Sequence, residues 1–362
     1  MKPSSMYVRN AGSGSVSYNW KWYLKDLPQV EKNGFKVFSC FSCGGGSSMG
    51  YKLAGYEVIG NCEIDKSMNK IYVANHHPKN NYLMDVREFA DTPYLPDDLF
   101  HLDILDGSPP CSAFSVAGQR EDAWNKEKVF REGQKKQKLD DLFFAFIRVA
   151  KRLQPKVVIA ENVKGLVLGN AKGYVNEIFK AFRDAGYRTQ LFLLNAGTMG
   201  VPQARERVFF IAHQKDLDVP KLELAFHEKP IMFGEIRSEH GIPLQEDSLM
   251  RKLMENRTES DTCVEDINQR LRGKAIGFNN RLIKDSQVAP TIASGATYLR
   301  MCDGMRLSKQ DIINMQTFPQ DYNFVDQSPK YVCGMSVPPV MMAQIAHQVE
   351  IQWLRPGDQN GK

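Results

Sequence analysis

From about residue 35 to residue 212 the chain alternates short apolar runs with stretches of helical periodicity, and this alternation limits its fold most. It predicts the following elements in order: strand 36–41, a helix after 46, strand 57–62, a helix from 66, strand 102–105, helix 139–153, strand 156–160, helix 174–185, and strands 187–194 and 207–212. Such a chain builds a mostly parallel sheet that is covered by helices on both faces. We therefore predict an α/β fold with a doubly wound sheet, whose ligands bind at the carboxyl ends of the strands.

The alternation stops at about Gln214, and a polar segment follows that has one helix-like stretch from Asp247 to Glu259. We interpret this segment as a second, smaller domain. The α/β pattern returns near Pro290 and ends in a predicted helix from about Pro339 to Trp353. The predicted boundaries are an arm over 1–33, a catalytic and cofactor-binding domain over 34–213, a small domain over 214–285, a segment that returns to the catalytic domain over 286–355, and a tail over 356–362.

Composition excludes several classes of protein. The sequence shows no apolar signal segment and no run of about 18 apolar residues, so we expect a cytoplasmic protein that does not contact a membrane. The seven cysteines lack framework spacing and predict reduced thiols. Cys40 and Cys43 form a Cys-x-x-Cys pair, but no second pair at metal spacing accompanies it, so a zinc or redox site is disfavoured. A net charge of +5 permits nucleic acid as a partner without requiring it.

A double proline precedes Cys111 in the run Gly107-Ser108-Pro109-Pro110-Cys111, directly after the apolar stretch 102–105. Two prolines fix two backbone dihedrals and remove two amide donors, so the chain can continue neither a central strand nor a helix. The alternative is a buried structural cysteine, which is common for this residue type. The flanking Gly, Pro and Ser residues favour an accessible thiol, and Cys111 is therefore the candidate nucleophile.

A glycine-rich turn follows the first predicted sheet strand. The turn consists of Phe41, Ser42, Cys43, Gly44, Gly45 and Gly46. Such a turn lets backbone amides approach a ligand, although it is also common as a plain strand-to-helix connection. Glu63 ends the next strand, where a carboxylate can accept both hydroxyls of a ribose, and Asp85 could hold an adenine amino group. Together they predict a cofactor that contains adenosine, and the lack of a Gly-Lys-Ser/Thr loop disfavours a nucleoside triphosphate.

Two further motifs place charged residues beside predicted strands. Glu161 emerges from an apolar strand in Ala160-Glu161-Asn162-Val163, where partial burial would raise its pKa and let it hold or give a proton. A structural ion pair is the alternative. In the run 203–207, alternation along a strand is expected to put Arg205 and Arg207 on one face, which suits binding of an oxygen or a carboxylate.

These motifs resemble those of the DNA cytosine-5 methyltransferases. The runs 107–115, 161–163 and 203–207 are similar to motifs IV, VI and VIII of that family and occur in its order. The turn 41–46 resembles its cofactor motif, the segment 306–319 resembles the one before its last motif, and 334–339 resembles the last motif itself. The chain departs from the family at four positions: Ser39 and Cys40 stand where Asp-Leu is usual, Cys43 replaces the first glycine, and Met335 replaces Asn.

The resemblance implies a class I methyltransferase that uses S-adenosylmethionine, releases S-adenosylhomocysteine and needs no metal. Cys111 would add to carbon 6 of a flipped-out cytosine, Glu161 would act at ring nitrogen 3, and Arg205 would bind the exocyclic oxygen, with Arg207 as a further catalytic residue. The implied cofactor residues are the turn 41–46 and Glu63, Ile64, Asp85, Val86, Pro109, Ser336 and Val337.

Charge placement predicts where DNA would lie. The stretch from Arg120 to Lys138, with seven basic and four acidic residues, is expected to be a loop over the duplex, with Ser115 and Arg120 contacting DNA. A plain solvated surface is the alternative. The small domain becomes a target-recognition domain whose candidate reading edge contains Arg270, Arg272, Lys274, Arg281 and Lys284. A helix within 247–259 that carries Arg251 and Lys252 is the competing candidate.

Three other functions would require different sequence signatures or the loss of catalytic residues. A transfer-RNA cytosine-5 methyltransferase of the same superfamily is the nearest alternative, but the Cys-Phe-Thr signature typical of that branch is not found. An amino-group methyltransferase would carry Asp/Asn-Pro-Pro-Tyr/Phe, and Ser108-Pro109-Pro110-Cys111 lacks both ends of it. A catalytically silent DNA-binding relative is disfavoured by the intact catalytic positions. The expected partner is duplex DNA, bound by a monomer, with a cognate restriction endonuclease as a further candidate. The target sequence stays open.

Overall fold

A computed structural model of the chain describes residues 7–9, 16–110, 141–168, 172–275, 277, 280–293 and 296–355. The predicted nucleophile Cys111, the predicted DNA contacts Ser115 and Arg120, and the basic stretch 120–138 lie outside the described residues. None of the described helices is both long enough and apolar enough to span a bilayer.

The strands are β1 Tyr7–Arg9, β2 Val16–Tyr18, β3 Lys36–Cys40, β4 Glu57–Cys62, β5 Asn80–Tyr82, β6 Ile104–Gly107, β7 Val157–Val163, β8 Tyr187–Asn195, β9 Gln203–Ala204, β10 Glu206–Gln214, β11 Arg281–Ile283, β12 Ala289–Pro290 and β13 Tyr298–Arg300. The helices are α1 Gly46–Leu53, α2 Lys66–His76, α3 Val86–Asp91, α4 Leu142–Leu153, α5 Lys172–Asp184, α6 Phe233–Ile236, α7 Leu249–Met254, α8 Val264–Arg272, α9 Lys309–Met315, α10 Pro329–Met335 and α11 Pro339–Val349.

The chain divides into two compact units. The sheet unit comprises residues 27–195, 206–225 and 342–362, and the second unit comprises 1–26, 196–205 and 226–341. This division differs from the expected boundaries in that most of the segment 286–355 groups with the small domain rather than with the sheet. The functional assignment of the small domain stays a prediction.

The sheet unit contains, among the described residues, seven strands in the order β5-β4-β3-β6-β7-β10-β8. The pairs from β5 to β7 are parallel, and β10 runs antiparallel to both β7 and β8. The predicted mostly parallel sheet is therefore confirmed. Strands β3, β6 and β7 are buried along nearly their whole length, and each contains consecutive apolar residues rather than a strict alternation of apolar and polar ones.

Helices pack on both faces of this sheet. Phe38 and Leu105 point to the face covered by α3, α4 and α5, where Phe38 stacks on Phe89 with ring centroids 5.2 Å apart. Ser39 and Asn61 point to the opposite face, which carries α1 and α2.

The carboxyl ends of four parallel strands are aligned. Cys40 of β3 is in register with Cys62 of β4 and with Gly107 of β6, and Gly107 is in register with Ala160 of β7. The residues that follow these positions therefore emerge at one edge of the sheet, as the sequence predicted for functional residues.

The second unit has its own small core. It is formed by residues of α7, α8, β11 and β13 together with Leu244 and Met301: Leu244, Leu253, Met254, Val264, Ile267, Leu282, Leu299 and Met301. The helix expected over 247–259 is wrong in extent, because α7 ends at Met254 and α8 begins only at Val264. The Asp261 carboxylate accepts from the backbone N–H of Thr258 at 2.6 Å, and this bond closes a turn that interrupts the helix.

Candidate functional site

The glycine-rich turn after β3 holds an unusual backbone. Phe41, Cys43 and Gly45 have φ values of 52°, 47° and 76°, which lie in the left-handed region that side chains disfavour. The turn is fixed from β4, since the backbone N–H of Cys43 donates to Glu63 Oε2 at 2.8 Å. Strained backbone of this kind persists only where the surroundings determine it, and it is concentrated at functional sites.

Glu63 is the carboxylate that joins the turn to the end of β4. Its Oε1 accepts from the backbone N–H of Asp65 at 2.8 Å, and the whole residue is only 8% exposed. Burial raises the pKa of this carboxyl, and the backbone N–H donors of Asp65 and Cys43 oppose that rise. The structure thus brings together Glu63 and the turn 41–46, while Ile64 beside them stays 41% exposed.

Asp85 lies at the start of α3 and acts as its N-cap. Its carboxylate accepts from the backbone N–H of Arg87 at 2.8 Å and pairs with the Arg87 guanidinium at 2.9 Å. Val86 is buried in the apolar core of the sheet unit. The predicted contact of Asp85 with an adenine amino group stays a prediction, and any such contact shares the carboxylate with Arg87.

Asp106 is a site residue that the sequence reasoning missed. It is 1% exposed, and its carboxylate accepts hydroxyl donors from Ser39 at 2.8 Å, Ser47 at 2.7 Å and Tyr51 at 3.2 Å. Burial raises its pKa to about 6, the three hydroxyl donors oppose the rise, and the charge of Glu161 adds to it. The signal available in the sequence was an acidic residue directly after the predicted strand 102–105.

The ends of β6 and β7 are tied to each other. Asn162 Nδ2 donates to the carbonyl oxygen of Pro109 at 3.0 Å, which holds the double proline beside the strand that carries Glu161. Cys111 comes two residues after Pro109 and lies outside the described residues. The structure therefore places Pro109 beside the strand that carries Glu161.

Glu161 is 9% exposed and forms an ion pair in which Arg207 Nε lies 2.9 Å from Glu161 Oε1. Burial lowers the pKa of the Arg207 guanidinium, and the charge of Glu161 and its hydrogen bond oppose that change. The guanidinium remains charged at neutral pH because an arginine pKa starts far above 7. Arg207 thus orients Glu161 and compensates its charge.

Arg205 and Arg207 do not lie on one strand, so the strand alternation that was expected to place them on one face is interrupted at Arg205. β9 ends at Ala204 and pairs with β12, whereas β10 begins at Glu206. Arg205 is 1% exposed, and its Nη2 donates to the carbonyl oxygen of Gly334 at 3.1 Å within the second unit. Contacts with residues far along the chain break the simple alternation here.

Gln203 and Gln316 are further buried polar residues that the sequence reasoning did not single out. Gln203 Nε2 donates to Gln316 Oε1 at 2.7 Å, and Gln316 Nε2 donates to the carbonyl oxygen of Ser336 at 2.7 Å. Ser336 and Val337, predicted as cofactor residues, are both 4% exposed. Within the second unit, these side-chain hydrogen bonds link the run 203–205 to the last motif 334–339.

The predicted DNA-reading edge is only partly available. Arg270 Nη2 lies 2.8 Å from Asp261 Oδ2 and also donates to the carbonyl oxygen of Asn256, so its guanidinium serves the small core. The ammonium of Lys284 donates to the carbonyl oxygen of Glu259. Arg272, Lys274 and Arg281 are exposed at the surface. In the competing helix α7, Arg251 pairs with Glu255 at 3.3 Å.

Across the part of the chain that the structure describes, no group of three or more His, Cys, Asp or Glu side chains is arranged to hold a metal ion.

Comparison with known proteins agrees with the family that the motifs resemble. The family model of the C-5 cytosine-specific DNA methylase matches residues 35–350. The chain is 31% identical over 315 residues to the type II methyltransferase M.FnuDI of Fusobacterium nucleatum, across 80% of this chain and 86% of that protein. It is 26% identical to M.Bsp6I of Bacillus sp., across 87% and 98%.

Solved structures agree on the fold. A prophage-encoded DNA modification methyltransferase of E. coli superposes with a TM-score of 0.63 at 18% identity, across 88% of this chain and 99% of the other. A DNMT2 variant of Spodoptera frugiperda superposes with a TM-score of 0.58 at 15% identity, across 87% and 99%.

Proposed function

Because the chain belongs to the C-5 cytosine-specific DNA methylase family, we propose that it methylates carbon 5 of cytosine at a specific sequence in duplex DNA, with Cys111 as the nucleophile. The proposed roles of Cys111 and Glu161 rest on the contact between the ends of β6 and β7. There the Asn162 side chain holds Pro109, which leads to Cys111, beside the Glu161–Arg207 ion pair.

S-adenosylmethionine, which supplies the methyl group, fits the residues at the end of β3 and β4. A side chain Cβ at Gly45 would overlap the His76 ring, and φ there is positive, so the turn accepts only glycine without strain. Glu63 provides a buried carboxylate at the adjoining strand end, which is the chemistry that recognises a ribose diol. The turn 41–46 and Glu63 would hold this cofactor.

Cys111 and Glu161 have separate roles in the proposed reaction. Carbon 5 of cytosine is a poor nucleophile, so the Cys111 thiolate first forms a bond to carbon 6 while Glu161 protonates or hydrogen-bonds ring nitrogen 3. Carbon 5 accepts the methyl group and loses its proton to a base. The bond from carbon 6 to sulfur then breaks, which regenerates the thiolate and the aromatic ring.

Arg205 and Arg207 take different parts in this proposal. The Arg207 guanidinium keeps the Glu161 carboxyl oriented, because the two are 2.9 Å apart. Arg205 is proposed to bind the exocyclic oxygen of the base. A base stacked within a duplex cannot reach groups at a sheet edge, so it must be flipped out.

Duplex DNA is the proposed partner, bound by a monomer in the cytoplasm. Arg272, Lys274 and Arg281, which are exposed, and Arg120 and Ser115 are proposed DNA contacts. Type II methyltransferases among the relatives support a cognate restriction endonuclease as a further proposed partner.

The function is tested by expressing the protein in a host that lacks DNA methylation and sequencing that DNA for 5-methylcytosine. The expected result is methylation at one short sequence by the wild type and none by Cys111→Ser, because a hydroxyl ionises far less than a thiol near neutral pH. Cys111→Ser should still bind DNA and S-adenosylhomocysteine. Methyl transfer by this variant at the wild-type rate, or methylation of transfer RNA but not of duplex DNA by the wild type, would overturn the proposal.

A trapping experiment tests the covalent step separately. Duplex DNA that carries 5-fluorocytosine at the target should form a denaturation-resistant adduct with the wild type, because fluorine cannot leave carbon 5 as a cation. Peptide mapping should place the adduct on Cys111. An adduct on another residue would remove Cys111 from the mechanism.

A further inference from the structure

Asp106 is a buried carboxylate in a strand where an apolar side chain would be ordinary. It is in register with Ser39 of β3 and points to the face of the sheet that carries α1. Burial of a charge is costly unless it is well paired. The raised pKa of Asp106, to about 6, shows that the hydrogen bonds do not fully offset this cost. A residue that destabilises its own ionised form in this way suggests a role other than stability.

The hydroxyl partners of Asp106 lie on both sides of the cofactor turn 41–46. Ser39 comes two residues before the turn, and Ser47, in the first helical turn of α1, comes one residue after it. One oxygen, Oδ2, accepts from both serines, at 2.8 Å and 2.7 Å. Tyr51, one helical turn further along α1, donates to the other oxygen at 3.2 Å. The carboxylate therefore fixes the two ends of the turn against each other.

We propose that Asp106 is a positioning residue for cofactor binding, which acts through Ser39 and Ser47 to hold the turn 41–46 in its left-handed backbone. The inference rests on the proposed function, because it concerns how the site for S-adenosylmethionine is shaped. Asp106 also directly precedes Gly107 at the end of β6, so the same carboxylate connects the cofactor turn to the strand that leads to the double proline.

Ser39 is also a position where the chain departs from the family, which usually has Asp there. Since Ser39 and Asp106 are register partners joined by a hydrogen bond, the carboxylate and the hydroxyl could be exchanged between the two strands. The double variant Ser39→Asp/Asp106→Ser keeps one carboxylate and one hydroxyl in the same pair. It tests whether the pair, rather than the identity of either residue, is needed.

The test measures binding of S-adenosylhomocysteine by calorimetry, without DNA or turnover. Asp106→Ala should weaken binding about tenfold or more, and Ser47→Ala about threefold, because hydrogen bonds to a charged group are strong ones. The exchange variant should return affinity to within about threefold of the wild type. In turnover assays the KM for S-adenosylmethionine should rise in step with these values, while the KM for DNA should not change.

Asp103→Asn is the matched control. Asp103 lies just before β6 at its amino end, is also buried, and accepts from Lys36 N at 2.8 Å and Lys156 Nζ at 2.7 Å, far along the strand from the turn. It should lower the melting temperature without changing affinity for S-adenosylhomocysteine. Should Asp106→Ala not fold, Ser47→Ala decides the matter.

Folded Asp106→Ala or Ser47→Ala protein that binds S-adenosylhomocysteine within twofold of the wild type would overturn the inference, and so would equal weakening by Asp103→Asn. Either result leaves the proposed function intact. Absence of binding by the wild type would instead count against the proposed function.

Discussion

The substitution Gly45→Ala is expected to damage the cofactor turn through two separable effects. Gly45 has a φ of 76°, and a Cβ built there would lie 2.1 Å from His76 Nε2 and 2.8 Å from His76 Cδ2. His76 cannot move away cheaply, because it is buried and stacks on Tyr72 with ring centroids 4.3 Å apart. Burial also lowers its pKa well below the usual value, so the ring is neutral.

The magnitude follows from these two effects. Left-handed backbone costs an alanine about 1–2 kcal/mol relative to glycine. Forcing a methyl group into a packed site costs about 1–3 kcal/mol more. Gly34→Ala provides the control for backbone strain alone, since Gly34 has a φ of 83° and no heavy atom lies within 4 Å of its Cβ position. We therefore expect Gly45→Ala to lower the free energy of unfolding by about 2–5 kcal/mol, and Gly34→Ala by about 1–2 kcal/mol.

Urea denaturation of Gly45→Ala, His76→Ala and the double variant measures the steric part as a coupling energy. Removing the His76 ring should recover about 1–3 kcal/mol of the Gly45→Ala loss. Binding of S-adenosylhomocysteine should follow the same order, with Gly34→Ala close to the wild type. A Gly45→Ala variant no less stable than Gly34→Ala, or a coupling energy near zero, would refute the reasoning.

Three further predictions concern charged groups. Arg207→Ala should lower kcat by at least about a hundredfold, because it leaves the Glu161 carboxyl buried and unoriented. The Kd of S-adenosylhomocysteine should stay within about twofold of the wild-type value. An equal loss in kcat and in this affinity would contradict an orienting role for Arg207. Arg270→Ala should lower the free energy of unfolding by about 2–4 kcal/mol, since Asp261, 3% exposed, loses its only ion-pair partner among the described residues. DNA-sequence preference, assayed on a library of single-base changes, should not change. An altered preference would restore Arg270 as a residue that reads DNA. Burial raises the pKa of Asp106 from its usual 3.8 to about 6, so the stability that the protonated carboxyl contributes is fully present below pH 3.8 and is lost as pH rises through 6. From pH 4 to pH 7 the free energy of unfolding of the wild type should fall by about 2–3 kcal/mol relative to that of Asp106→Asn. Parallel pH profiles of the two proteins would refute the raised pKa of Asp106.

The sheet could be predicted because its signals are local. Strand and helix periodicities are written within each segment, and parallel strands in such folds bring their carboxyl ends to one edge. Glu63 and the turn 41–46 were each predicted from their positions after an apolar run, and in the structure the two are joined by the Cys43–Glu63 hydrogen bond.

The predictions from sequence failed where contacts between residues far apart in the chain determine the local structure. Arg205 leaves the strand pattern because β9 pairs with β12, some 85 residues later in the chain. Arg270 resembled an exposed reading residue in the sequence, yet it compensates Asp261 in the small core. Asp106 was passed over because the predicted strand ended at residue 105, and its hydrogen bonds to Ser39 and Ser47 depend on the pairing of β6 with β3 and on the position of α1.

The cofactor turn shows why these non-local contacts matter to function. Two non-glycine residues in the turn, Phe41 and Cys43, have left-handed backbone, which costs stability and would relax in an isolated loop. Glu63 holds the turn from β4, and Asp106 holds its flanking residues from β6. Burial destabilises the charged form of each carboxylate, as their raised pKa values show. The fold therefore accepts strained backbone and buried charge together at one sheet edge. Substitutions there should change ligand affinity more than those at the opposite edge, where Asp103 meets Lys156 near solvent.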